Sequence, residues 1–214
     1  MKRNDSFCRQ SPSPVAAKLL LASSNSGKLK EFRALALDAP LALELELFPK
    51  FDTIPTFEEL APTFAENSLG KALYYAQHTD DFVLADDSGL VVPSLGGRPG
   101  VHSARYAGAN ATSEQRITKL LGEMKGKSGV EREAHFACAL SLVRREQALA
   151  VITARTDGVI LESSQGKGGF GYDPVFFFPA LQKTFAELTA EQKNQHSHRG
   201  KVFRRLLTAL PDVL

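Results

Sequence analysis

The chain has 214 residues, enough for one sizeable hydrophobic core or at most two small lobes. Hydrophobic residues make up 43% of it and charged residues 23%, which is ordinary for a soluble globular protein. The 26 Lys and Arg against 24 Asp and Glu leave a formal net charge of +2, so no global basic field indicates a nucleic-acid partner. A phosphate-binding site in this chain must therefore be a local cluster.

The start of the chain and its cysteines bear on the cellular compartment. Residues 1–17, with Ser-Pro-Ser-Pro at 11–14, are predicted to form a disordered lead-in without the apolar segment of a secretory signal. No apolar stretch approaches the length of a membrane helix. Cys8 and Cys138 share no metal-binding or redox spacing, and Cys138 lies in an apolar run typical of a core thiol. These features predict a cytoplasmic protein without a membrane partner, folded as one domain over residues 18–214.

The elements predicted along that domain alternate between strands and helices. Apolar runs and alternation predict strands at 18–23, 41–48, 82–85, 133–143, 148–156 and 175–178. Helices are predicted after the turn at 24–27, over 63–76, over 112–124, from 189, and over 202–210 before Pro211. The spacing of a capping box marks three helix starts: Thr63 with Glu66, Thr112 with Gln115, and Thr189 with Gln192. The predicted fold is mixed α/β, with a largely central twisted sheet flanked by helices and two lobes around a cleft.

Asp86-Asp87-Ser88-Gly89 directly follows the apolar run at 82–85. We expect a flexible turn that delivers two carboxylates to the end of a buried strand. Adjacent like charges cost free energy unless a cation offsets them, and carboxylate oxygens suit Mg²⁺. The alternative is a solvated turn that closes a hairpin.

The junction between the first strand and the first helix is a candidate anion site. Backbone N–H groups at a helix N-terminus favour anions, and a lysine adds a full charge there. Ala22 and Leu29 stand where a P-loop needs a glycine and a Ser or Thr, so this is not a P-loop. Simple helix capping by Ser24 or Asn25 is the alternative. The junction comprises Ser23, Ser24, Asn25, Ser26, Gly27 and Lys28.

Two segments in the last third of the chain could form a nucleotide pocket. The glycine-rich loop at 166–171 matches G-x-G-x-x-G but precedes a strand, which disfavours a dinucleotide-binding site, while Phe170 could stack on a planar base. Lys193, His196, His198 and Arg199 could supply charge for phosphates and donors for a base edge. A flexible hairpin loop and a solvated basic face are the alternatives.

Two loops contain further candidate side chains. Glu58 and Glu59, in a loop flanked by prolines, could reach a metal ion. His102 and Arg105, in a Gly- and Pro-rich loop, could line the cleft, and for His102 the alternative is a plain surface role.

Taken together and in order, these motifs resemble the inosine/xanthosine triphosphate pyrophosphatase family over about residues 18–210. The motifs are Ser23–Lys28, Thr63-Phe64-Ala65-Glu66-Asn67 with Lys71 following, Ala85-Asp86-Asp87-Ser88-Gly89-Leu90, Leu95-Gly96-Gly97-Arg98-Pro99-Gly100, Gly168-Gly169-Phe170-Gly171-Tyr172-Asp173-Pro174 and Ser197-His198-Arg199-Gly200. The resemblance implies a homodimeric, Mg²⁺-dependent enzyme that cleaves ITP, dITP and XTP to the monophosphate and pyrophosphate. One departure is Ser24, because the family usually has glycine at that position.

The resemblance also implies roles for individual residues. Asp87 is the implied proton acceptor and a Mg²⁺ ligand, and of the two loop glutamates Glu59 is matched to the second ligand. The implied substrate-binding residues are Ser23, Ser24, Asn25, Ser26, Gly27, Lys28, Lys71, Ser88, Phe170, Gly171, Tyr172, Asp173, Lys193, His198 and Arg199. In the mechanistic hypothesis, Lys28 and Lys193 stabilise the departing pyrophosphate, and His198 or Arg199 recognises the 6-oxo group of the base.

Two other functions remain as alternatives. One is the related septum-inhibitor (Maf-like) family of pyrimidine nucleotide pyrophosphatases, against which the Ser197-His198-Arg199 ending argues. The other is a non-catalytic module that binds a metal-nucleotide without consuming it.

Overall fold

The computed structural model describes residues 17–37, 39 and 42–213, so nearly all of the predicted lead-in lies outside the described residues. The described residues form a seven-stranded mixed sheet in the order β2-β1-β3-β4-β5-β6-β7. The strands are β1 (Ala17–Leu21), β2 (Leu43–Leu47), β3 (Phe82–Val91), β4 (Glu133–Arg144), β5 (Gln147–Ile160), β6 (Phe176–Phe178) and β7 (Lys183–Thr184). The helices are α1 (Ser26–Ala36), α2 (Phe64–Ala76), α3 (Ser113–Glu123), α4 (Ala190–His196) and α5 (His198–Val213). This arrangement confirms the predicted fold class.

Helices cover both faces of the sheet because the central strands are apolar on both faces. Leu84 of β3 belongs to a buried cluster with α1 and α5 on one face. Val83 and Ala85, which point the other way, belong to a cluster with α2 on the opposite face. A third cluster, around Phe136 and Phe176, lies at the far end of the sheet against α3. The two-lobe arrangement and the domain bounds stay predictions.

Strand β3 is longer than its parallel neighbour, and this difference creates the site. Strand β1 pairs with β3 only from Leu19 opposite Phe82 to Leu21 opposite Leu84. Strand β3 then continues to Val91 with β4 alone as its ladder partner. Among the described residues no strand therefore runs beside this edge just beyond the carboxyl end of β1, and the Lys71 and Ser103 side chains bond to its Asp86 oxygen and Leu90 N–H instead. Ligands bind at this position in sheets with parallel strands.

The turn predicted at residues 86–89 is wrong, because β3 runs straight through it. Asp86 to Gly89 pair in register with residues 140 to 137 of β4, so the ladder holds this segment extended. Gly89 is needed for space rather than for flexibility. A Cβ at this position would overlap the carbonyl oxygen of Gly100 and the hydroxyl of Ser103, which belong to a 3₁₀ turn packed on the strand.

Most other boundaries agree with the sequence patterns within a few residues, although α5 begins at His198, four residues before its predicted start, and β7 was not predicted. The capping boxes that begin α3 and α4 are both present, and the Thr63 side chain accepts a hydrogen bond from the Glu66 N–H at the start of α2. Helix α5 includes Pro211, which was expected to end it, and stops two residues later at Val213. Because proline has no backbone N–H, residue 211 continues the helix without donating a hydrogen bond to it. No helix in the described part of the chain is both long and apolar enough to cross a membrane.

Candidate active site

Asp86 and Asp87 are both buried, at 0% and 6% exposure, but they lie on opposite faces of β3. Successive side chains of a strand alternate between faces. Asp86 therefore faces α1 and α5, and Asp87 faces α2. The expectation that the two carboxylates sit side by side at one metal ion is wrong.

Asp86 is surrounded by the protein's own cations. Lys28 Nζ donates to its Oδ1 at 2.9 Å, Arg199 Nε lies 3.6 Å from its Oδ2, and Lys71 Nζ donates to its backbone oxygen at 2.7 Å. Burial alone would raise the pKa of the Asp86 carboxyl, but Lys28, Arg199 and Lys71 outweigh it and hold the pKa well below its usual range. Asp86 is therefore a permanent anion that fixes cations.

Asp87 has the opposite electrostatic environment. Asn67 Nδ2 donates to its Oδ2 at 3.0 Å, while burial and the neighbouring Glu59 raise the pKa of the Asp87 carboxyl to about 6. A carboxylate with such a pKa accepts a proton readily at neutral pH, as a general base must.

Asn67 holds Asp87 and was given no role by the sequence analysis. Its amide also exchanges two hydrogen bonds with the backbone of Ala61, at 2.9 and 3.2 Å, so its orientation is fixed. The signal that could have identified it is its place in the 63–67 motif, one turn before Lys71 on α2.

Glu59 lies in an irregular loop that two basic side chains hold in place. Lys71 Nζ contacts its Oε1 at 2.5 Å, and Arg105 Nη2 donates to its backbone oxygen at 2.8 Å. Glu59 and Asp87 bring two oxygen ligands to the same side of the sheet. In the described residues no three His, Cys, Asp or Glu side chains form a metal cluster. One or two carboxylates completed by substrate phosphates and water are the set that Mg²⁺ prefers, so the residues fit this ion.

Helix α1 begins beside the open edge of β3. Asn25 is its N-cap, because the Oδ1 of Asn25 accepts from the Lys28 N–H at 3.1 Å, and Ser23 Oγ accepts from the Asn25 N–H at 3.1 Å. Gly27 packs so closely that a Cβ would lie 3.0 Å from this cap oxygen. Ser24, Ser26 and Gly27 are exposed, as a phosphate-binding surface requires.

Replacement of the family's glycine by Ser24 introduces no backbone strain. The non-glycine residues with positive φ in the described part of the chain are Lys50, Arg145 and Gln182, and Ser24 is not among them. A glycine is therefore not required at this position for a left-handed backbone.

A cavity of about 670 Å³ opens between this first loop and α2. Ser23 and Ser24 line one side of it. Glu59, Lys71, His102 and Arg105 line the other. The first loop, Glu59, Lys71 and the Gly- and Pro-rich loop thus share one space.

On the Asp86 face, Phe170 presents an aromatic surface that is 44% exposed. Lys193 Nζ lies 4.4 Å from its ring centre and the Arg199 guanidinium 5.4 Å. Asp173 fixes this loop, since its Oδ2 accepts from the Phe170 N–H at 2.8 Å and from Lys193 Nζ at 2.7 Å. The predicted gathering of loop 166–173 with the C-terminal basic residues therefore occurs for Lys193 and Arg199, whereas the His196 ring lies against Phe178, with ring centres 5.3 Å apart.

Two residues of that loop differ in what they can offer a ligand. Gly171 has a φ of +64° and is half-buried, so its backbone faces outward next to Phe170. Tyr172 packs in the core and its hydroxyl donates to the Ser103 carbonyl at 2.9 Å. The buried Tyr172 side chain therefore supports the loop and is not itself exposed to a ligand.

Arg199 links this pocket to β3. Its Nη2 donates to Ser88 Oγ at 3.2 Å and its Nη1 contacts Glu31 Oε2 at 2.5 Å. Glu31 Oε1 also lies 3.3 Å from Lys193 Nζ. Glu31 was not recognised in the sequence, although it lies three residues after Lys28 and therefore on the same face of α1.

His198 is buried and stacks on Phe136 with ring centres 4.8 Å apart. Burial, with the charges of Arg199 and Lys193, lowers the pKa of His198 well below its ordinary value, so its ring is neutral at physiological pH. Its buried Nδ1 has no hydrogen-bond partner among the described residues.

The fold and the site together define a mixed α/β protein in which one strand separates a carboxylate site from a basic aromatic pocket. Comparison with known proteins identifies the family: the Ham1 family model matches residues 19–209, and the chain belongs to this family. The predicted resemblance is thus confirmed.

Individual members of that family cover nearly the whole chain. A dITP/XTP pyrophosphatase of Geobacillus kaustophilus is 46% identical over 189 residues, 88% of this chain and 92% of that protein. One from Thermus thermophilus is 46% identical over 195 residues, 91% of this chain and 92% of that protein. Among solved structures, a HAM1 protein from Coxiella burnetii has a TM-score of 0.81 at 40% identity, covering 92% of this chain and 99% of that one.

Proposed function

We propose that this protein hydrolyses deaminated purine nucleoside triphosphates (ITP, dITP and XTP) to the monophosphate and pyrophosphate. The observation that carries the proposal is Asp87, a buried carboxylate with a raised pKa, held by Asn67 beside Glu59 and Lys71. The names of the relatives, dITP/XTP pyrophosphatases, support the substrate class.

In the proposed reaction Asp87 acts as the general base. It accepts a proton from a water molecule as the water oxygen forms a bond to the α-phosphorus. The bond from that phosphorus to the α–β bridging oxygen breaks, and pyrophosphate leaves with the electron pair. Asn67 keeps the accepting carboxylate in one orientation.

The positions of the lysines change which of them we assign to the phosphates, compared with the expectation from the sequence. Lys28 is bonded to Asp86, and Lys193 is bonded to Asp173 over Phe170, on the opposite face from Asp87. We therefore assign the triphosphate to the exposed N–H groups of the first loop and to Lys71. In this assignment Lys193 belongs to the base pocket rather than to the leaving pyrophosphate.

We infer that Asp87 and Glu59 would hold Mg²⁺. When bound, the ion offsets negative charge on the phosphate oxygens. In the metal-free protein burial, and after it repulsion by Glu59, raises the pKa of the Asp87 carboxyl.

Base selection is proposed to rest on Phe170, His198 and Arg199. Phe170 offers a stacking surface, and the other two offer N–H donors that a 6-oxo group can accept. The 6-amino group of adenine is itself a donor and would leave a buried donor unpaired. That loss costs about 1–3 kcal/mol, or one to two decades of discrimination per contact.

The test is to incubate the purified protein with Mg²⁺ and ITP, XTP, GTP or ATP and to identify the products. IMP with pyrophosphate, formed from ITP much faster than the corresponding products from ATP and GTP, supports the proposal. Orthophosphate as the first product would show that attack occurs at another phosphorus. Binding without turnover would favour the non-catalytic module.

The roles of single residues need matched variants. Asp87→Asn should abolish most turnover, whereas Asp157→Asn, at an exposed aspartate of β5 with 69% side-chain exposure, should leave it unchanged. Near-normal turnover by Asp87→Asn would refute the assignment of the base. The predicted homodimer and cytoplasmic location are also proposals, tested by analytical ultracentrifugation and cell fractionation.

A further inference from the structure

The cavity that Glu59 lines extends to Arg105, an arginine with no role assigned so far toward a ligand. Arg105 lines this space together with His102, Lys71 and the first loop. Its guanidinium makes one hydrogen bond, from Nη2 to the Glu59 carbonyl oxygen at 2.8 Å. Among the described residues its other N–H groups have no hydrogen-bond or ion-pair partner. An exposed guanidinium is thus held at the cavity wall with most of its donors unused.

The charges of the cavity show why a phosphate chain would need this residue. Glu58 and Glu59 also line the cavity, and their carboxylates repel phosphate oxygens. Lys71 is bonded to Glu59 and to the backbone oxygen of Asp86, so its charge is already shared. Arg105 is the cation of the cavity wall that contacts no carboxylate in the described residues. Its planar fork matches phosphate oxygens two at a time.

The proposed reaction fixes the direction of the substrate. Asp87 is inferred to activate the water that attacks the α-phosphorus, so the β- and γ-phosphates must lie on the leaving side. The cavity shared by Ser23, Ser24, Lys71 and Arg105 is the space available to them. We propose that Arg105 binds the terminal phosphates and thereby selects substrates by the length of their phosphate chain. This inference rests on the proposed function.

The test measures binding of the two halves of the substrate separately. Calorimetry with Mg²⁺-pyrophosphate and, independently, with IMP is performed on the unsubstituted protein, on Arg105→Gln and on Arg105→Lys. Loss of a charge-assisted contact predicts about 10- to 100-fold weaker pyrophosphate binding by Arg105→Gln. Binding of IMP should change by less than about threefold, because IMP lacks the terminal phosphates. Arg105→Lys should recover part of the pyrophosphate affinity.

A matched control is Arg155→Gln, which removes an exposed arginine of β5 whose one side-chain partner in the described part of the chain is Asp157. This variant should change neither affinity. Unchanged pyrophosphate binding by Arg105→Gln would overturn the proposal, as would no pyrophosphate binding by the unsubstituted protein. Equal losses for pyrophosphate and IMP, together with a higher Mg²⁺ requirement, would also overturn it. That result would mean that Arg105 acts by holding Glu59.

These measurements need no turnover, so they separate the two proposals. A protein that fails to cleave ITP but loses pyrophosphate affinity on Arg105→Gln would refute the proposed function and keep the phosphate contact. If the protein cleaves ITP but Arg105→Gln binds pyrophosphate as tightly as the unsubstituted protein, the proposed function is supported and the phosphate contact is refuted.

Discussion

Neutralising the two adjacent aspartates of β3 should have opposite effects on stability. Asp86→Asn removes the anion that Lys28 and Arg199 share, and it leaves two cations close together in a largely buried place. Asp87→Asn removes a charge that burial and Glu59 both oppose. The substitutions are chemically identical and one residue apart, so each serves as the control for the other.

The expected magnitudes follow from burial and partners. Removing one member of a buried ion pair costs about 3–5 kcal/mol. We expect the lower end for Asp86→Asn, about 3 kcal/mol, because Glu31 still pairs with Arg199. At roughly 2–4 °C per kcal/mol for a chain of this size, the Tm should fall by about 6–12 °C.

For Asp87→Asn we expect the opposite change, a gain in the free energy of unfolding. Burial and Glu59 raise its pKa from 3.8 to about 6, so its ionised form destabilises the metal-free protein above that pH. Two pKa units correspond to about 3 kcal/mol, which is an upper limit for the gain in Asp87→Asn. We expect a gain of about 1–3 kcal/mol.

The assay is thermal and urea unfolding at pH 7.5 with a chelator present, followed by ITP turnover with Mg²⁺. Asp86→Asn should be less stable, and Asp87→Asn should be more stable but inactive. Asp86→Asn as stable as the unsubstituted protein would refute the ion-pair reasoning. A loss of 2 kcal/mol or more in Asp87→Asn would refute the claim that its charge is opposed.

Three further predictions concern residues around this site. Gly89→Ala should destabilise the protein by about 1–3 kcal/mol in urea unfolding, because a Cβ overlaps the 3₁₀ turn packed on β3; unchanged stability would show that the turn can move. Glu31→Gln should lower kcat/KM for ITP by about tenfold while leaving pyrophosphate binding unchanged, because Glu31 orients Arg199 at the base pocket; equal weakening of both would place Glu31 at the phosphates. Burial raises the pKa of the Cys138 thiol to about 12, so in a Cys8→Ser background it should react with a thiol reagent only after unfolding; rapid reaction of the folded protein would contradict its burial.

Much of the fold could be predicted because its signals are local. Capping boxes at Thr112 and Thr189 and the apolar periodicities set the helices and strands within a few residues. The exception was β3, which was predicted to stop where its aspartates begin. Local propensity reads Asp-Asp-Ser-Gly as a turn. What extends the strand is non-local, namely the ladder with β4 and the cations that neutralise Asp86.

Most residues of the candidate site could be predicted from the sequence, but the contacts between them could not. The motifs contained Asp87, Lys71, Phe170 and Arg199, yet pairings such as Lys28 with Asp86 join residues 58 positions apart. Sequence spacing cannot show such contacts. Glu31 was missed for the same reason, because a single glutamate on an amphipathic helix looks like any solvated side chain until Arg199 packs against it.

Because Asp86 and Asp87 are neighbours in one strand, the two carboxylates can take different roles. Strand alternation places neighbouring carboxylates in two environments. Asp86 lies among fixed cations and stays ionised, whereas burial and Glu59 raise the pKa of Asp87, so that it can accept a proton. A slip of the strand by one residue would exchange the two faces, and the wrong carboxylate would lie beside Lys28. The long ladder with β4 prevents this slip, while the early end of β1 leaves the other edge without a neighbouring strand in the described part of the chain. The same strand therefore fixes the register of the site and provides access to it.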